Sequence, residues 1–167
     1  MTSIYLVRHG KTEWNLEGRY QGAHGDSPLL AQSYREIDLL AKSLRGIKFA
    51  HAFASPIKRA RVTAIKLVEQ LRPKPPLTLD NRLAEFDLGK WEGMKFTDVE
   101  QKWPEEQDAF HHHADQFHQD VVGAESFPHV IDRVGGAIKE FCRLYPTGNI
   151  LVVSHGAALN ATINGLL

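Results

Sequence analysis

The chain is poor in the features that would place it outside ordinary water-soluble chemistry. Its one cysteine, Cys142, excludes an intramolecular disulfide framework. No apolar run approaches the roughly 18 residues of a membrane span, and the longest are strand-sized. Neither sign of charge is in excess: 20 basic residues face 20 acidic ones, which removes the electrostatic case for coating nucleic acid or an anionic membrane. Any anion site must therefore be local. The amino terminus opens on a strand-like run in place of a secretory signal peptide, so a cytoplasmic location is expected. Repeats, low-complexity tracts and compositional breaks are absent too, and residues 1–167 read as a single domain large enough for a substantial core.

What is present is alternation of strand and helix patterns. Residues 3–8 are a continuous apolar run of β-formers, expected to be the central strand of a mostly parallel sheet, buried on both faces. Glycines 10, 18, 22 and 25 and Pro28 mark a long loop with room for one helical turn. Helical spacing follows over 30–45 and 56–71, separated by a strand at 49–54. Ser55-Pro56 reads as the N-cap and first position of the second of these helices. Leu77–Leu79 is a third strand, 80–95 a second glycine-flanked loop, and 96–119 two short helices broken at Pro104. A long helix at 126–145, despite Gly135-Gly136, precedes a fourth strand at 150–153 and a last helix at 157–165. The expected architecture is a three-layer α/β/α domain with sites beyond the carboxyl ends of its strands.

Two of those strands end in histidine followed by glycine, at Arg8-His9-Gly10 and Ser154-His155-Gly156, and a third ends just before Arg59. If the three are parallel, Arg8, His9, Arg59 and His155 meet on one rim. Forked guanidinium donors, imidazoles and helix-terminus amides suit a tetrahedral dianion such as phosphate. A neutral ring nitrogen of His9 could attack phosphorus while the arginines stabilise the spread charge. Glu85, set among Leu83, Phe86, Leu88 and Trp91, is the candidate proton donor, because apolar neighbours raise a carboxyl pKa.

These motifs resemble those of the histidine phosphatase superfamily, in its phosphoglycerate mutase-like branch. The likeness spans nearly the whole chain: Leu6 to Asn15, Gly18 to Leu29, Ser55 to Ala64, Glu85 to Gly93 and Val153 to Gly156, in the family's order. The resemblance implies a phosphoglycerate mutase-like fold, His9 as nucleophile, Glu85 as acid and then base, and Arg8, Arg59 and His155 as phosphate binders. Asn15, Gln21 and Gly22 would be further phosphate or substrate contacts. No metal and no cofactor are implied, 2,3-bisphosphoglycerate being needed only by a mutase. Lys11 stands where the family often has glutamate or glutamine, the 21–26 loop is one residue longer than common, and Ala124 replaces a glycine. The chain also ends soon after the second histidine, so the domain reads as short at its carboxyl end.

Competing readings accompany several residues. His51 and His129 are expected to be structural, and Glu92 to hold a loop. His111-His112-His113 with His118 suggests a metal site, but neighbouring histidines on a helix point about 100° apart, which favours a solvated surface. Trp14, Trp91 and Trp103 are expected to pack in the core or the loops, Trp14 and Trp91 being the better candidates of the three for the pocket edge, Lys58 and Arg61 to face solvent, and Cys142 to be inert. The function expected is hydrolysis of the phosphomonoester of a small metabolite through a phosphohistidine on His9. Phosphoglycerate mutase-type transfer, or phospholigand binding without catalysis, are the alternatives.

Overall fold

The structure is a computed structural model that describes residues 1–166. Strands β1 (Thr2–Arg8), β2 (Phe49–Ala54), β3 (Leu77–Leu79) and β4 (Gly148–Ser154) form one parallel sheet in the order β1-β4-β2-β3. Helices α2 (Ala31–Ser43) and α3 (Lys58–Val68) cover one face, α6 (Phe127–Leu144) and α7 (Gly156–Leu166) the other. The short helices α1 (Glu13–Glu17), α4 (Phe96–Lys102) and α5 (Pro104–His112) lie in the connecting segments. The chain is thus the three-layer α/β/α arrangement expected. Among the described residues no helix is long and apolar enough to cross a membrane.

The layers follow from side-chain alternation along β4. Ile150, Leu151, Val152 and Val153 are all at 0% exposure. Ile150 and Val152 join Phe53, Val134 and Phe141 on one side, Leu151 and Val153 join Ala52, Ala64 and Leu67 on the other. Such alternation is the period-two geometry of a strand. Each of the Val, Leu, Ile and Phe side chains among these contributes about 2 kcal/mol by leaving water. The Phe53 and Phe141 rings stack at 3.6 Å between centroids, tying α6 to the sheet.

Two expectations are corrected. First, β1 is an edge strand: among the described residues it pairs with β4 alone, and none of its residues is fully buried. β4 is the central strand. An apolar run reads alike whether it has one neighbour or two, so the order of strands lay beyond the pattern. Second, α3 starts at Lys58 with Ile57 at its N-cap, which gives no side-chain cap, and not at Pro56. The Ser55 hydroxyl accepts from Ile57 N at 3.2 Å but also lies 2.8 Å from His155 Nε2. Its second partner is across the sheet, and the chain turns into the helix two residues late. At Pro104 the expected break is present, with α5 starting on that proline.

Candidate active site

The carboxyl ends of β1, β4 and β2 carry the site. His9 N–H donates to Ser154 O and Ser55 N–H to Val153 O, both at 3.0 Å, so the ladder pattern runs one residue past each strand and fixes the three exits side by side. Beyond them lies a pocket of about 180 Å³ lined by Arg8, His9, Asn15, Gln21, Arg59 and Glu85, among others.

His9 is 6% exposed, and its Nδ1 lies 2.7 Å from Gly10 O. A carbonyl only accepts, so Nδ1 carries the proton and Nε2 presents a lone pair. Burial, with lesser contributions from the Arg59 and Arg8 charges, lowers its pKa to about 4, against the hydrogen bond to Gly10, which raises it. The imidazole is therefore neutral at pH 7. Gly10 is held in turn: its N–H donates to Thr63 Oγ1 at 3.0 Å, and that hydroxyl donates to Arg59 O at 2.7 Å. Thr63 was not foreseen, although a hydroxyl inside the stripe Ala60, Ala64, Leu67 was visible. Thr63→Val keeps the shape but leaves the Gly10 N–H without its acceptor, and is expected to lower stability by about 1 kcal/mol; Thr63→Ser should retain most of it. Urea titration of the two variants checks this.

The arginines differ in kind. Arg8 is exposed at the pocket mouth. Its side chain runs against Gly156, where a Cβ would sit 3.1 Å from Arg8 Nε, so glycine gives it passage. Arg59 is 2% exposed and locked by its own loop: Nη1 donates to Gly25 O at 2.7 Å and Asp26 Oδ1 at 3.1 Å, Nη2 to Gly22 O at 2.8 Å. Its Nε is buried with no partner among the described residues. Gly22 therefore acts through its carbonyl. It also needs to be glycine, since its φ is +64° and a Cβ would meet Glu92 Oε1 at 2.3 Å. Gln21 Oε1 accepts from Ser27 Oγ at 2.9 Å, and Asn15 Oδ1 from Thr12 N at 3.0 Å in the cap of α1. Both side chains keep amide donors for a ligand in the pocket they line.

Glu85 lies at the start of α7, where Oε1 accepts from Ala158 N at 2.9 Å and Oε2 from Ala157 N at 3.3 Å. Burial raises its pKa, opposed by the N–H groups of Phe86 and Ala158 and by the Arg59 charge. Its backbone is clamped by Arg133, a residue not singled out beforehand. Arg133 donates to Arg82 O, Ala84 O and Glu85 O at 2.7–3.0 Å and pairs with Glu125 through two oxygens, at 2.6 and 2.8 Å. A charged residue beside Val130 and Val134 in an apolar helix stripe was the available signal.

His155 is at 0% exposure behind His9, the ring centroids 5.2 Å apart, and does not line the open pocket. Ser55 Oγ, which accepts from Ile57 N, lies 2.8 Å from His155 Nε2 and has its own proton free for that nitrogen. With Ser55 as donor the ring's own proton sits on Nδ1, which is buried without a partner among the described residues. Burial first, then the Arg59 charge, holds its pKa well below the usual histidine range.

Other residues fall elsewhere. Trp14 and Trp91 do not reach the pocket; Trp91 is at 0% exposure within the core. The aromatic rim is instead Tyr20, Phe96 and Phe110 with His111, and Arg19 joins it. The histidine run 111–113 is exposed throughout, and of the three His111 meets Tyr20 OH, its Nε2 at 2.8 Å. Glu92 accepts from the N–H groups of Ala23, His24 and Leu88 and joins the two loops. His24 Nδ1 lies 3.3 Å from Glu92 and 3.7 Å from Asp87. His51 bridges Thr78 and Tyr145, and His129 pairs with Glu125, both outside the pocket. Lys58 and Lys11 are exposed; Arg61 is half-buried, its guanidinium donating to Pro56 O. Cys142 is a free, half-buried thiol.

Phosphoserine phosphatase 1 of Hydrogenobacter thermophilus is 32% identical over 168 residues, covering 100% of this chain and 77% of the relative. A probable phosphoglycerate mutase, GpmB, of Salmonella choleraesuis is 31% identical over 100% of this chain and 75% of its own length. Among solved structures, YhfR of Bacillus stearothermophilus superposes with a TM-score of 0.91 at 30% identity, covering 99% of this chain and 79% of that one. Phosphoserine phosphatase of Entamoeba histolytica, in complex with 3-phosphoglyceric acid, does so with a TM-score of 0.83 at 28% identity, over 99% and 80%. The model of the histidine phosphatase superfamily, branch 1, matches residues 4–167. The chain belongs to the histidine phosphatase superfamily, whose named relatives are phosphatases and phosphoglycerate mutases.

Proposed function

We propose that the protein hydrolyses phosphomonoesters of small metabolites through a phosphohistidine on His9. The observation that carries this is the bond of His9 Nδ1 to Gly10 O, which leaves the Nε2 lone pair free on a neutral ring beside two guanidinium groups. Nε2 attacks phosphorus as the bond to the ester oxygen breaks. The proton of Glu85 passes to that oxygen, and the alcohol leaves. Glu85, now a carboxylate, takes a proton from water as its oxygen attacks phosphorus, the P–N bond breaks, and phosphate and the neutral imidazole are restored.

Arg59 Nε, a donor buried without a partner among the described residues, is suited to the phosphoryl oxygens, and so is the likewise unpartnered His155 Nδ1 in the tautomer in which Ser55 donates to Nε2, with Arg8, Asn15 and Gln21 completing the set. Because two guanidinium groups supply the positive charge, the reading includes no metal and no cofactor. Hydrolysis is preferred to mutase-type transfer because Arg8 at the pocket mouth is exposed, which gives water a route to a phosphorylated His9.

The test is an assay with p-nitrophenyl phosphate in the presence of a chelator. Steady release of nitrophenol and phosphate is expected. Failure to release either would refute the proposal, and dependence on added metal would refute its metal-free form. Conversion of 3-phosphoglycerate to its 2-isomer with a trace of bisphosphate, without net phosphate release, would favour the mutase reading.

A further inference from the structure

A second cleft, of about 460 Å³, continues from the phosphate pocket, and Arg8, Phe110, His111 and Ala157 line both. Its floor is one face of α7. Ala157, Asn160, Ala161 and Asn164 all line it, at the three-to-four-residue spacing that puts side chains on one helical stripe. Glu85 sits at the near end, bonded to Ala157 N and Ala158 N, so an oxygen leaving phosphorus beside Glu85 has the rest of its alcohol directed along this stripe. From Ala157 to Asn164 the helix rises about 10 Å. A three-carbon alcohol, about 4 Å long, would end before Asn160 and leave the far half of the cleft unused.

The lining is polar and lacks one sign. His111, His112, Asn160 and Asn164 offer hydrogen bonds, Arg8 is a full positive charge, and among the described residues no carboxylate lines the cleft. Phe110 and Phe127 form the apolar wall. Hydroxyls or a carboxylate find partners here. An ammonium group, by contrast, leaves water without a counter-ion and beside a guanidinium.

We infer that this cleft selects phosphomonoesters whose leaving group is extended, rich in hydroxyl or other hydrogen-bonding groups, and not cationic; phosphorylated saccharides of one to two rings are the class that fits. The inference rests on the phosphatase reading above. Asn160 reads the middle of the leaving group and Asn164 its far end.

Two ratios of kcat/KM test it. Trehalose 6-phosphate over glycerol 1-phosphate measures length, and glucose 6-phosphate over glucosamine 6-phosphate measures charge at constant length. Each is expected to exceed about fivefold. Asn164→Ala should reduce the first ratio at least about threefold, and Asn160→Asp, which adds the missing carboxylate, should reduce the second by a similar factor. Circular dichroism and p-nitrophenyl phosphate hydrolysis establish that each variant is folded and competent. Ratios near one in the wild type, or ratios that neither substitution moves, overturn the cleft assignment while aryl phosphate hydrolysis leaves the phosphatase reading standing. If p-nitrophenyl phosphate itself is inert, the phosphatase reading falls and this inference falls with it.

Discussion

Replacing His9 with asparagine is expected to reduce hydrolysis of p-nitrophenyl phosphate by about 10⁴-fold or more, because loss of a nucleophile that forms a covalent intermediate cannot be made good by the remaining groups. An acid-labile phosphoenzyme, trapped by rapid quenching from the wild type, should be absent from the variant. Residual activity within tenfold of wild type would remove His9 from the role. The same substitution has a signature in stability. The His9 pKa is about 4 in the folded chain against 6.5 for the free side chain, so as pH falls below 6.5 the unfolded chain takes up the proton first. Stability is then lost from pH 6.5 downward until the folded ring titrates too, near pH 4. That cost amounts to about 3 kcal/mol at pH 4. Asparagine has no proton to take up, so urea midpoints of His9→Asn should fall less steeply between pH 7 and pH 4 than those of the wild type.

Glu85→Gln should separate substrates by leaving group. An alkyl alcohol departs as a strongly basic oxyanion unless it is protonated, and a general acid typically contributes 10²–10⁴-fold there. Sugar phosphates are therefore expected to slow by about 10³-fold and p-nitrophenyl phosphate, whose leaving group needs no proton, by less than about tenfold in the first chemical step. Equal slowing of both in single-turnover measurements would count against proton donation. The pH profile supplies an independent check: burial holds the Glu85 pKa above the usual carboxyl range, and the basic limb of kcat/KM for alkyl substrates should follow that group and vanish in the variant. The linkage runs opposite to that of His9. A folded carboxyl with a raised pKa keeps its proton longer than the unfolded chain does. The stability this gives is fully present below the unfolded carboxyl pKa and is lost as pH rises through the folded one.

Much of the site was legible because its chemistry is local in sequence. Arg8-His9-Gly10, Ser154-His155-Gly156 and Glu85 with its glycines each combine a reactive group with the backbone freedom that a strand exit or a tight loop needs. The groups that hold these residues in place were not legible in the same way. Arg133 reaches the Glu85 loop from 48 residues away, and Thr63 meets Gly10 across 53. Neither bond leaves a trace in local spacing beyond a polar residue in an apolar stripe. Trp91 packs in the core, as its size favours, and the half-buried Trp14 lies against the loop glycines Gly25 and Gly93; adjacency in sequence to Asn15 and Glu92 brings neither indole to the pocket.

The sequence by itself determined the alternation of strands and helices, the apolar stripes that make two layers around a sheet, and which side chains are candidates to bind and attack a phosphate, since these depend on periodicity and on side-chain chemistry. Tertiary structure alone decided that β4 and not β1 is the central strand, that Ser55 serves His155 before it serves a helix, that Arg59 is locked by Gly22, Gly25 and Asp26, and that His155 lies buried behind His9. Each of these is a pairing between segments far apart in the chain. Such pairings are selected by packing and by the need of every buried polar group for a partner, which a one-dimensional pattern does not record.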